Sequence, residues 1–548
     1  MKIALAQINT HIGNFDFNFS KIAENITTAE QQGADIIVFP ELAVCGYPPR
    51  DFLDFDDFID KCYAVIEQIK SLTENIAVIV GSPSRNPQIE GKDLFNSAFF
   101  IYQNKVQDVI HKALLPTYDI FDEYRHFEPN TEFHCITFQG KKIALTICED
   151  LWNVGNENPM YRSCPMDILT HEKPDVMINI SASPFDYLHA QGRLDVLREN
   201  VQRYKVPLFY VNHSGAQTDL IFDGGSVVMN VQGKVFSEMI FFKEAMQVFD
   251  LEKVIASGID LKENLQTKEK IPMIYEALVT GVRNYFEKLN FNKAIFGLSG
   301  GMDSALVAVI AAEALGNENV KGVLMPSPYS SKHSVDDALQ LAKNLKIAYE
   351  IIPIHNMYDT FLKELTPSFL GKPFDVTEEN LQARIRGMIL MALSNKHGYI
   401  LLNTTNKSEA AVGYGTLYGD LCGGLAVLAD VYKTEVYAIA NYINRTKEII
   451  PFNIIHKAPS AELKHDQTDQ DTLPPYEVLD NILFQYIEKS KSPDDIIAMG
   501  FDASIVKRTL KMVNSSEWKR YQFAPVLRVS PKAFGMGRRM PIEGKYLS

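Results

Sequence analysis

Short apolar runs recur along the first half of the chain, and each run is bounded by polar or turn-forming residues. Runs of this length with such boundaries are typical of buried β-strands. We predict strands at residues 3–8, 36–39, 76–80, 98–102, 106–110, 143–147, 176–180 and 208–211. The first half is therefore expected to be built on strands.

The second half contains an apolar strand that passes directly into a glycine turn and then into an apolar helix. Residues 294–298 are predicted to form the strand, and residues 305–310 continue as the helix. Gly300 and Gly301 let the backbone curl until several N–H groups point at one anion, and the helix adds its positive N-terminal end. We therefore expect a phosphate site at this turn.

The turn has the sequence Ser-Gly-Gly-Met-Asp-Ser at residues 299–304. It lacks the lysine of GxxxxGK(S/T) and does not match GxGxxG, so neither a Walker A site nor a dinucleotide fingerprint is indicated. It resembles the SGGxDS loop of the ATP pyrophosphatase family, whose members cleave ATP between the α and β phosphates. This resemblance implies that ATP is bound by Gly297, Leu298, Ser299, Gly300, Gly301, Met302, Asp303 and Ser304.

Length and composition indicate two globular domains. A chain of 548 residues is too long for one hydrophobic core. The apolar pattern lapses between Leu251 and Lys270, where a linker is expected. We predict domains at residues 1–255 and 265–548.

Charge and cysteine content exclude several classes of protein. The 54 Lys and Arg against 68 Asp and Glu give a net charge of −14, which argues against nucleic-acid or anionic-membrane partners. No apolar run is long enough to span a membrane, so a cytoplasmic protein is expected. The six cysteines include no CxxC pair, so neither a disulfide framework nor a zinc knuckle is expected.

Three predicted strands of the first half lead to a reactive side chain, namely Glu41, Lys112 and Cys148. Amide hydrolysis through a thioester needs these three groups. The carboxylate takes the thiol proton and returns it to the leaving ammonia. The ammonium group stabilises the oxyanion and is expected to help hold Cys148 as a thiolate.

Three motifs connect these residues to a known family. The segments PELAVCGYPPRD, HKALLPTYDIFDEYRHF and ICEDLW resemble the nitrilase superfamily, specifically its glutaminase branch. The resemblance implies an αββα sandwich with Glu41 as general base, Lys112 as oxyanion lysine and Cys148 as nucleophile. Glu123 matches a second acidic residue that positions the lysine or the substrate.

The same resemblance implies a glutamine-binding site. Tyr118, and Ser183 in the segment NISASPF, match glutamine-binding positions. Six residues beyond that serine the glutaminase branch usually carries Lys or Arg, whereas this chain has His189. His189 is therefore a candidate for binding the glutamine carboxylate.

Further motifs of the second half follow the glycine turn. The segments NKSE, YGTLYGD and DVYKT resemble the NAD synthetase family, and the likeness runs from about residue 272 to the C-terminus. It implies a Rossmann-like parallel sheet that binds ATP and deamido-NAD. By motif, further ATP-binding residues are Arg384, Thr404 and Lys433; residues at the dinucleotide are Asn380, Glu409, Asp420 and Lys519; and Mg²⁺ ligands are Asp303 and Glu409.

The whole chain thus resembles the glutamine-dependent NAD synthetases, an α/β architecture in both halves. This implies small-molecule substrates (deamido-NAD, ATP and L-glutamine), an adenylated intermediate, Mg²⁺ with ATP, no prosthetic group, and a homo-oligomer built on a dimer of the synthetase domain. One alternative is another adenylating ligase, such as a tRNA-modifying thiolase or an amidase fused to a different amide-forming synthetase. A nucleotide-sensing module that regulates the amidase is the other.

Overall fold

The computed structural model describes residues 1–155, 159–460, 462–464 and 468–546. These residues form two compact units, Met1–Lys268 and Glu269–Ser548. No helix in the described part of the chain is both long and apolar enough to cross a membrane.

The first unit is built on strands, as its apolar pattern predicts. In chain order they are β1 Lys2–Gln7, β2 Ile36–Val38, β3 Ala77–Arg85, β4 Leu94–Tyr102, β5 Lys105–His111, β6 Ile136–Phe138, β7 Lys141–Ile147, β8 Val176–Ser181, β9 Leu208–Asn212, β10 Ser214–Gln217, β11 Leu220–Asp223, β12 Val227–Met229, β13 Val235–Glu238 and β14 Ala245–Asp250. Within the described residues they form two six-stranded sheets, ordered β14-β1-β2-β3-β4-β5 and β13-β12-β9-β8-β7-β6, and a β10-β11 hairpin.

Helices cover the outer faces of the two sheets. They are α1 Phe15–Gln31, α2 Asp56–Lys70, α3 Pro165–Leu169 and α4 His189–Tyr204, whereas α5 Leu251–Ala256 packs with the residues between the two sheets. Successive side chains of a strand point to opposite faces. Ala4 and Ala6 accordingly pack with α1 and α2, whereas Ile3 and Leu5 pack against apolar residues of the second sheet. Leu194 and Leu197 of α4 cover the far face of that sheet. The layers form the expected αββα sandwich.

The second unit contains a parallel sheet of five strands in its described residues, β15 Ala294–Gly297, β16 Val320–Leu324, β17 Ala348–Ile351, β18 Ile400–Asn403 and β19 Leu425–Ala426. Their order is β17-β16-β15-β18-β19, so the direction of winding reverses between β15 and β18. In doubly wound sheets, ligands bind at the carboxyl ends of the strands where this reversal occurs. The expected Rossmann-like architecture is confirmed.

Helices surround this sheet and continue as far as Arg520. They are α6 Lys270–Lys288, α7 Met302–Leu315, α8 Lys332–Leu345, α9 His355–Phe369, α10 Val376–His397, α11 Lys407–Val412, α12 Lys433–Asn444, α13 Phe452–His456, α14 Tyr476–Ile487, α15 Pro493–Ala498, α16 Ala503–Ser515 and α17 Glu517–Arg520. Residues 298–301 lead from β15 into α7, and residues 404–406 lead from β18 into α11. Both turns lie at the carboxyl edge of the sheet.

Candidate active sites

The three reactive side chains of the first unit follow the carboxyl ends of strands, as the sequence predicts. Glu41 lies three residues after β2, while Lys112 and Cys148 immediately follow β5 and β7. Cys148 has a positive φ of 44°, a left-handed conformation that side chains other than glycine seldom adopt. Such strained residues concentrate at active sites because the surrounding structure must hold them in place.

Lys112 binds two carboxylates inside the protein. Its Nζ lies 2.7 Å from Glu41 Oε1 and 2.8 Å from Glu123 Oε2, and the lysine and Glu41 side chains are completely buried. Burial alone would lower the pKa of Lys112, but Glu123 and Glu41 raise it well above its ordinary value. Burial also raises the pKa of Glu123 to about 7. The cluster therefore holds a permanent ammonium beside a carboxyl group that titrates near neutrality.

The state of Cys148 differs from the sequence-based expectation. Burial, and then the charge of Glu41, raise the pKa of this thiol well above its ordinary value, and the lowering by Lys112 does not compensate. Cys148 is therefore a neutral thiol at rest rather than a thiolate held by Lys112. It must lose its proton to a base as it attacks, a role that Glu41 can serve.

Polar residues outside the predicted set complete this cluster. Asn96 Nδ2 donates to Glu41 Oε1 at 2.7 Å, and Tyr47 donates to Glu123 at 2.9 Å. Asp150 accepts hydrogen bonds from the N–H groups of Ile147, Ala113 and Leu114, so one carboxylate ties the cysteine turn to the chain just after Lys112. The sequence motifs indicated none of these three residues, although Asn96 is a polar residue within an otherwise largely apolar run.

Tyr118 lies against an acidic residue next to the nucleophile. Its hydroxyl donates to both oxygens of Glu149, at 3.0 and 3.1 Å, and Tyr161 donates to the same carboxylate at 3.1 Å. Burial raises the pKa of Glu149. Among the described residues no salt bridge joins Glu149 to a cation. The result is a buried carboxylate with two neutral donors beside Cys148.

Ser183 and His189 lie in direct contact. Ser183 Oγ and His189 Nε2 are 2.8 Å apart, and the imidazole stacks on Trp152 at a centroid distance of 5.0 Å. The segment before Ser183 is bound to the catalytic cluster, because the N–H of Ala182 donates to Glu41 Oε2 at 2.9 Å. The structure thus links the predicted glutamine-binding pair to the predicted base.

In the second unit, a cavity of about 300 Å³ lies at the carboxyl edge of the parallel sheet. Most of the predicted nucleotide-site residues line it: Gly297, Leu298, Ser299, Gly301, Met302, Asp303, Ser304, Thr404, Glu409, Asp420 and Lys433. Gly300 has a φ of +77°, and a side-chain Cβ there would lie 2.1 Å from the carbonyl oxygen of Ser334. Glycine is therefore required at this position for the turn to form.

Besides Gly300, three predicted residues do not line this cavity. Arg384 donates to the carbonyl of Leu417 and lines a separate cavity of about 560 Å³. Asn380 accepts a hydrogen bond from Thr416 at 2.7 Å. Lys519 donates to the carbonyls of two glycines, Gly413 and Gly415, in the segment after α11.

Lys433 binds two carboxylates at the edge of the cavity. Its Nζ forms an ion pair with Asp303 and lies 3.6 Å from Glu409. Burial, and then the charge of Asp303, raise the pKa of Glu409 to about 8. Asn406, at the start of α11, donates to Asp303 at 3.0 Å. The turns after β15 and β18 are thereby joined through one carboxylate.

The donor set fits a magnesium ion only with help from the substrate. Within the described residues, no group of three or more His, Cys, Asp or Glu side chains could hold a metal. Asp303 and Glu409 supply oxygen ligands, which Mg²⁺ prefers, and Mg²⁺ commonly completes its shell with phosphates and water.

Arg386 and Asp469 are among the cavity-lining side chains that the sequence did not indicate. Arg386 lies two residues beyond Arg384, which places it on another face of α10. Asp469 is buried and accepts hydrogen bonds from Tyr414 and Tyr476, at 3.2 and 2.9 Å. Arg384 was predicted by motif, but which face of α10 points to the cavity can be read only from packing.

Comparison with known families agrees with both halves. Residues 2–259 match the carbon-nitrogen hydrolase family, and residues 274–523 match the NAD synthase family. The fold and sites thus define a carbon-nitrogen hydrolase joined to an NAD synthase.

Full-length relatives specify the family. The glutamine-dependent NAD(+) synthetase of Synechocystis sp. is 45% identical over 98% of both chains, and that of Thermotoga maritima is 41% identical over 100% of this chain and 99% of the relative. This chain belongs to the glutamine-dependent NAD(+) synthetase family.

Solved structures of similar proteins support the architecture. The glutamine-dependent NAD+ synthetase from Acinetobacter baumannii, in complex with ADP, has 38% identity and a TM-score of 0.76, covering 99% of this chain and 98% of that one. The glutamine-dependent NAD(+) synthetase from Cytophaga hutchinsonii has a TM-score of 0.83 over 100% of this chain and 98% of that one. Its identity of 20% supports the fold alone.

Proposed function

We propose that the chain forms NAD by transferring the amide nitrogen of glutamine to deamido-NAD, with ATP cleaved to AMP and pyrophosphate. One observation carries the proposal: each unit holds a lysine bound between two carboxylates. One cluster accompanies a cysteine, and the other accompanies a phosphate-binding turn. We assign glutamine hydrolysis to residues 1–255 and synthesis to residues 265–548.

The first unit would release ammonia through a thioester. The sulfur of Cys148 attacks the glutamine carboxamide carbon, while Glu41 takes the thiol proton and delivers it to the departing nitrogen. Lys112 neutralises the negative charge that develops on the carbonyl oxygen. Water, deprotonated by Glu41, then cleaves the thioester to give glutamate and restores the thiol.

Glutamine would be held by the two charged groups on its α-carbon. The buried carboxylate of Glu149, oriented by Tyr118 and Tyr161, fits the α-ammonium group of the substrate. Ser183 and His189 fit the α-carboxylate, since a hydroxyl and an imidazole can both donate to it. In this arrangement Tyr118 acts through Glu149.

The second unit would activate a carboxylate that ammonia cannot otherwise attack. A carboxylate oxygen of deamido-NAD attacks the α-phosphorus of ATP, and the bond to the β-phosphate breaks to release pyrophosphate. Backbone N–H groups of residues 299–304 and the ammonium group of Lys433 stabilise the negative charge on the departing pyrophosphate. Ammonia then attacks the acyl carbon, and AMP leaves to give the amide.

We propose that Asp303 and Glu409 hold Mg²⁺, whose charge offsets that of the phosphates when it is bound. The ADP complex of the Acinetobacter baumannii relative supports adenine-nucleotide binding by this chain. Contacts with ATP or deamido-NAD by the remaining predicted residues, and an assembly built on a synthetase dimer, stay predictions. The residues in question are Arg384, Thr404, Asn380, Asp420 and Lys519.

Isotopic oxygen in the deamido-NAD carboxylate tests the proposal. With ATP and ammonium or glutamine, the label is expected in AMP, with unlabelled pyrophosphate and one NAD formed for each AMP. Attack on the γ-phosphorus would instead give ADP and labelled orthophosphate, which would refute the adenylate.

The same assay separates the alternative functions. Pyrophosphate release that needs an acceptor other than deamido-NAD would indicate a different adenylating ligase. ATP binding without any pyrophosphate release would indicate a nucleotide sensor.

A further inference from the structure

Asn96 is the third residue of β4, and its side chain lies in the carboxylate cluster of the first unit. It is completely buried. Its Nδ2 donates to Glu41 Oε1 at 2.7 Å and lies 3.3 Å from Glu123 Oε2, and its backbone carbonyl accepts the N–H of Lys112 at 2.8 Å. One residue thus contacts both carboxylates and the lysine between them.

The orientation of the Asn96 amide follows from electrostatics. Turning the amide over would place its oxygen against the oxygens of two carboxylates. In the observed orientation the side-chain oxygen is buried and has no hydrogen-bond partner among the residues that the structure describes. A buried acceptor without a partner is unfavourable. The amide therefore gives up one hydrogen bond in order to direct its N–H₂ group at the carboxylates.

The donors on Glu41 are distributed unequally between its two oxygens. Oε1 accepts from both Asn96 and Lys112, whereas Oε2 accepts the N–H of Ala182. Donors bound to one oxygen stabilise the charged carboxylate and fix its rotation. The second oxygen then remains the better placed to receive a proton.

We propose that Asn96 is a positioning residue for amide hydrolysis, which fixes the orientation of the Glu41 carboxylate by binding it together with Glu123. This inference rests on the proposed glutamine hydrolysis. The cluster already combines two carboxylates with one ammonium. A neutral donor fixes the position of these carboxylates without adding a further charge to the cluster.

Two substitutions of similar size test this role. Asn96→Leu removes the donor, and Asn96→Asp adds a third carboxylate. Both are expected to raise the midpoint of the acidic limb of kcat/KM for glutamine hydrolysis, Asn96→Asp by about one pH unit or more. We expect kcat to fall by about tenfold or more, with KM for glutamine changed by less than about threefold.

Ser97→Ala provides a matched control on the same strand. Ser97 is equally buried, and its hydroxyl contacts Ser84 and His111 rather than the carboxylates. Its pH profile is expected to match that of the wild type. Ammonium-dependent synthesis and the thermal unfolding transition report whether each variant is folded.

Alkylation of Cys148 by iodoacetamide gives a second readout that needs no glutamine. The alkylation rate is followed by mass spectrometry as a function of pH. In Asn96→Asp we expect the pH midpoint of this rate to shift upward and the rate near neutral pH to be about tenfold lower. Unchanged midpoints in folded Asn96 variants would overturn the positioning role. A wild-type protein that hydrolyses no glutamine would refute the proposed function instead, and the alkylation profiles would still decide the role of Asn96.

Discussion

The two clusters share one arrangement and differ in their access to solvent. Lys112 and Lys433 each bind two carboxylates. In the first unit the carboxylate side chains are 0% and 6% exposed, whereas Asp303 and Glu409 are 17% and 16% exposed. The same three charges are therefore sealed in one site and lie at an open cavity in the other.

This difference matches the chemistry that each site is proposed to perform. Proton transfer within a closed cluster needs fixed short distances and the exclusion of water, which strengthens every charge interaction. A site for triphosphate and a hydrated metal ion needs carboxylate oxygens that can exchange one partner for another. The same arrangement of one lysine and two carboxylates therefore suits proton transfer where it is buried, and binding of phosphate and metal where it is partly exposed.

Replacing the nucleophile should have the largest effect, because it should inactivate the first site and leave the second site active. Cys148→Ala removes the thiol and is expected to lower glutamine-dependent synthesis by more than about 10³-fold, while ammonium-dependent synthesis is retained. NAD formation from each nitrogen source measures the effect. Cys164→Ala, at another buried cysteine of the same unit, should leave both activities intact. Loss of both activities in a folded Cys148→Ala protein would contradict the assignment.

Removing a carboxylate from the open cluster should have the next largest effect. Asp303→Ala deprives Lys433 of its ion-pair partner and the proposed metal of a ligand. Synthesis from either nitrogen source is expected to fall by about 10²-fold or more, while glutamine hydrolysis alone continues. Glu313→Gln, near the other end of α7, is the control. Substantial ammonium-dependent turnover in Asp303→Ala would exclude this residue from the metal site.

The two clusters should also lose stability over different pH ranges. Burial raises the pKa of Glu409 from 4.5 to about 8 and that of Glu123 to about 7. Between pH 4.5 and each raised pKa, the folded protein holds a proton that the unfolded chain has released. The free energy of unfolding therefore falls as pH rises through this range. Lys433, whose pKa is raised above 10.5, loses its contribution only at higher pH.

Glu409→Gln should reduce the pH dependence of the free energy of unfolding of the second unit. Urea unfolding between about pH 5 and 8 is expected to show the wild-type free energy of unfolding falling by about 1 kcal/mol per pH unit from this group. Glu477→Gln, at an exposed glutamate of the same unit, should leave the slope unchanged. Equal slopes in wild type and Glu409→Gln would contradict the raised pKa.

The smallest effect is expected at His189. His189→Ala removes a proposed donor to the glutamine carboxylate and should raise KM for glutamine by about tenfold or less, without altering ammonium-dependent turnover. His189→Lys should preserve or lower this KM, because it restores a permanent cation. Steady-state kinetics measure both, with the exposed His171→Ala as control. Equal KM values in all variants would place carboxylate recognition elsewhere.

Local sequence determined the elements and the chemistry that lies at their ends. Every predicted strand overlaps an observed one because buried strands need short apolar runs. The SGGMDS turn forms between β15 and α7, where glycine geometry is required locally. Glu41, Lys112 and Cys148 were recognisable because each follows a strand. Since β2 and β5 belong to one sheet and β7 to the other, only the packing of the two sheets brings the three side chains together.

Tertiary structure decided the ionisation and the supporting contacts. The neutral state of Cys148 depends on burial, and Asn96 and Asp150 act through partners far away in the chain, so neither follows from a local pattern. The choice between Arg384 and Arg386 depends on how α10 is rotated against the sheet. Sequence periodicity determines what a segment can form, whereas the desolvation and distance that set a charge arise only when distant segments pack together.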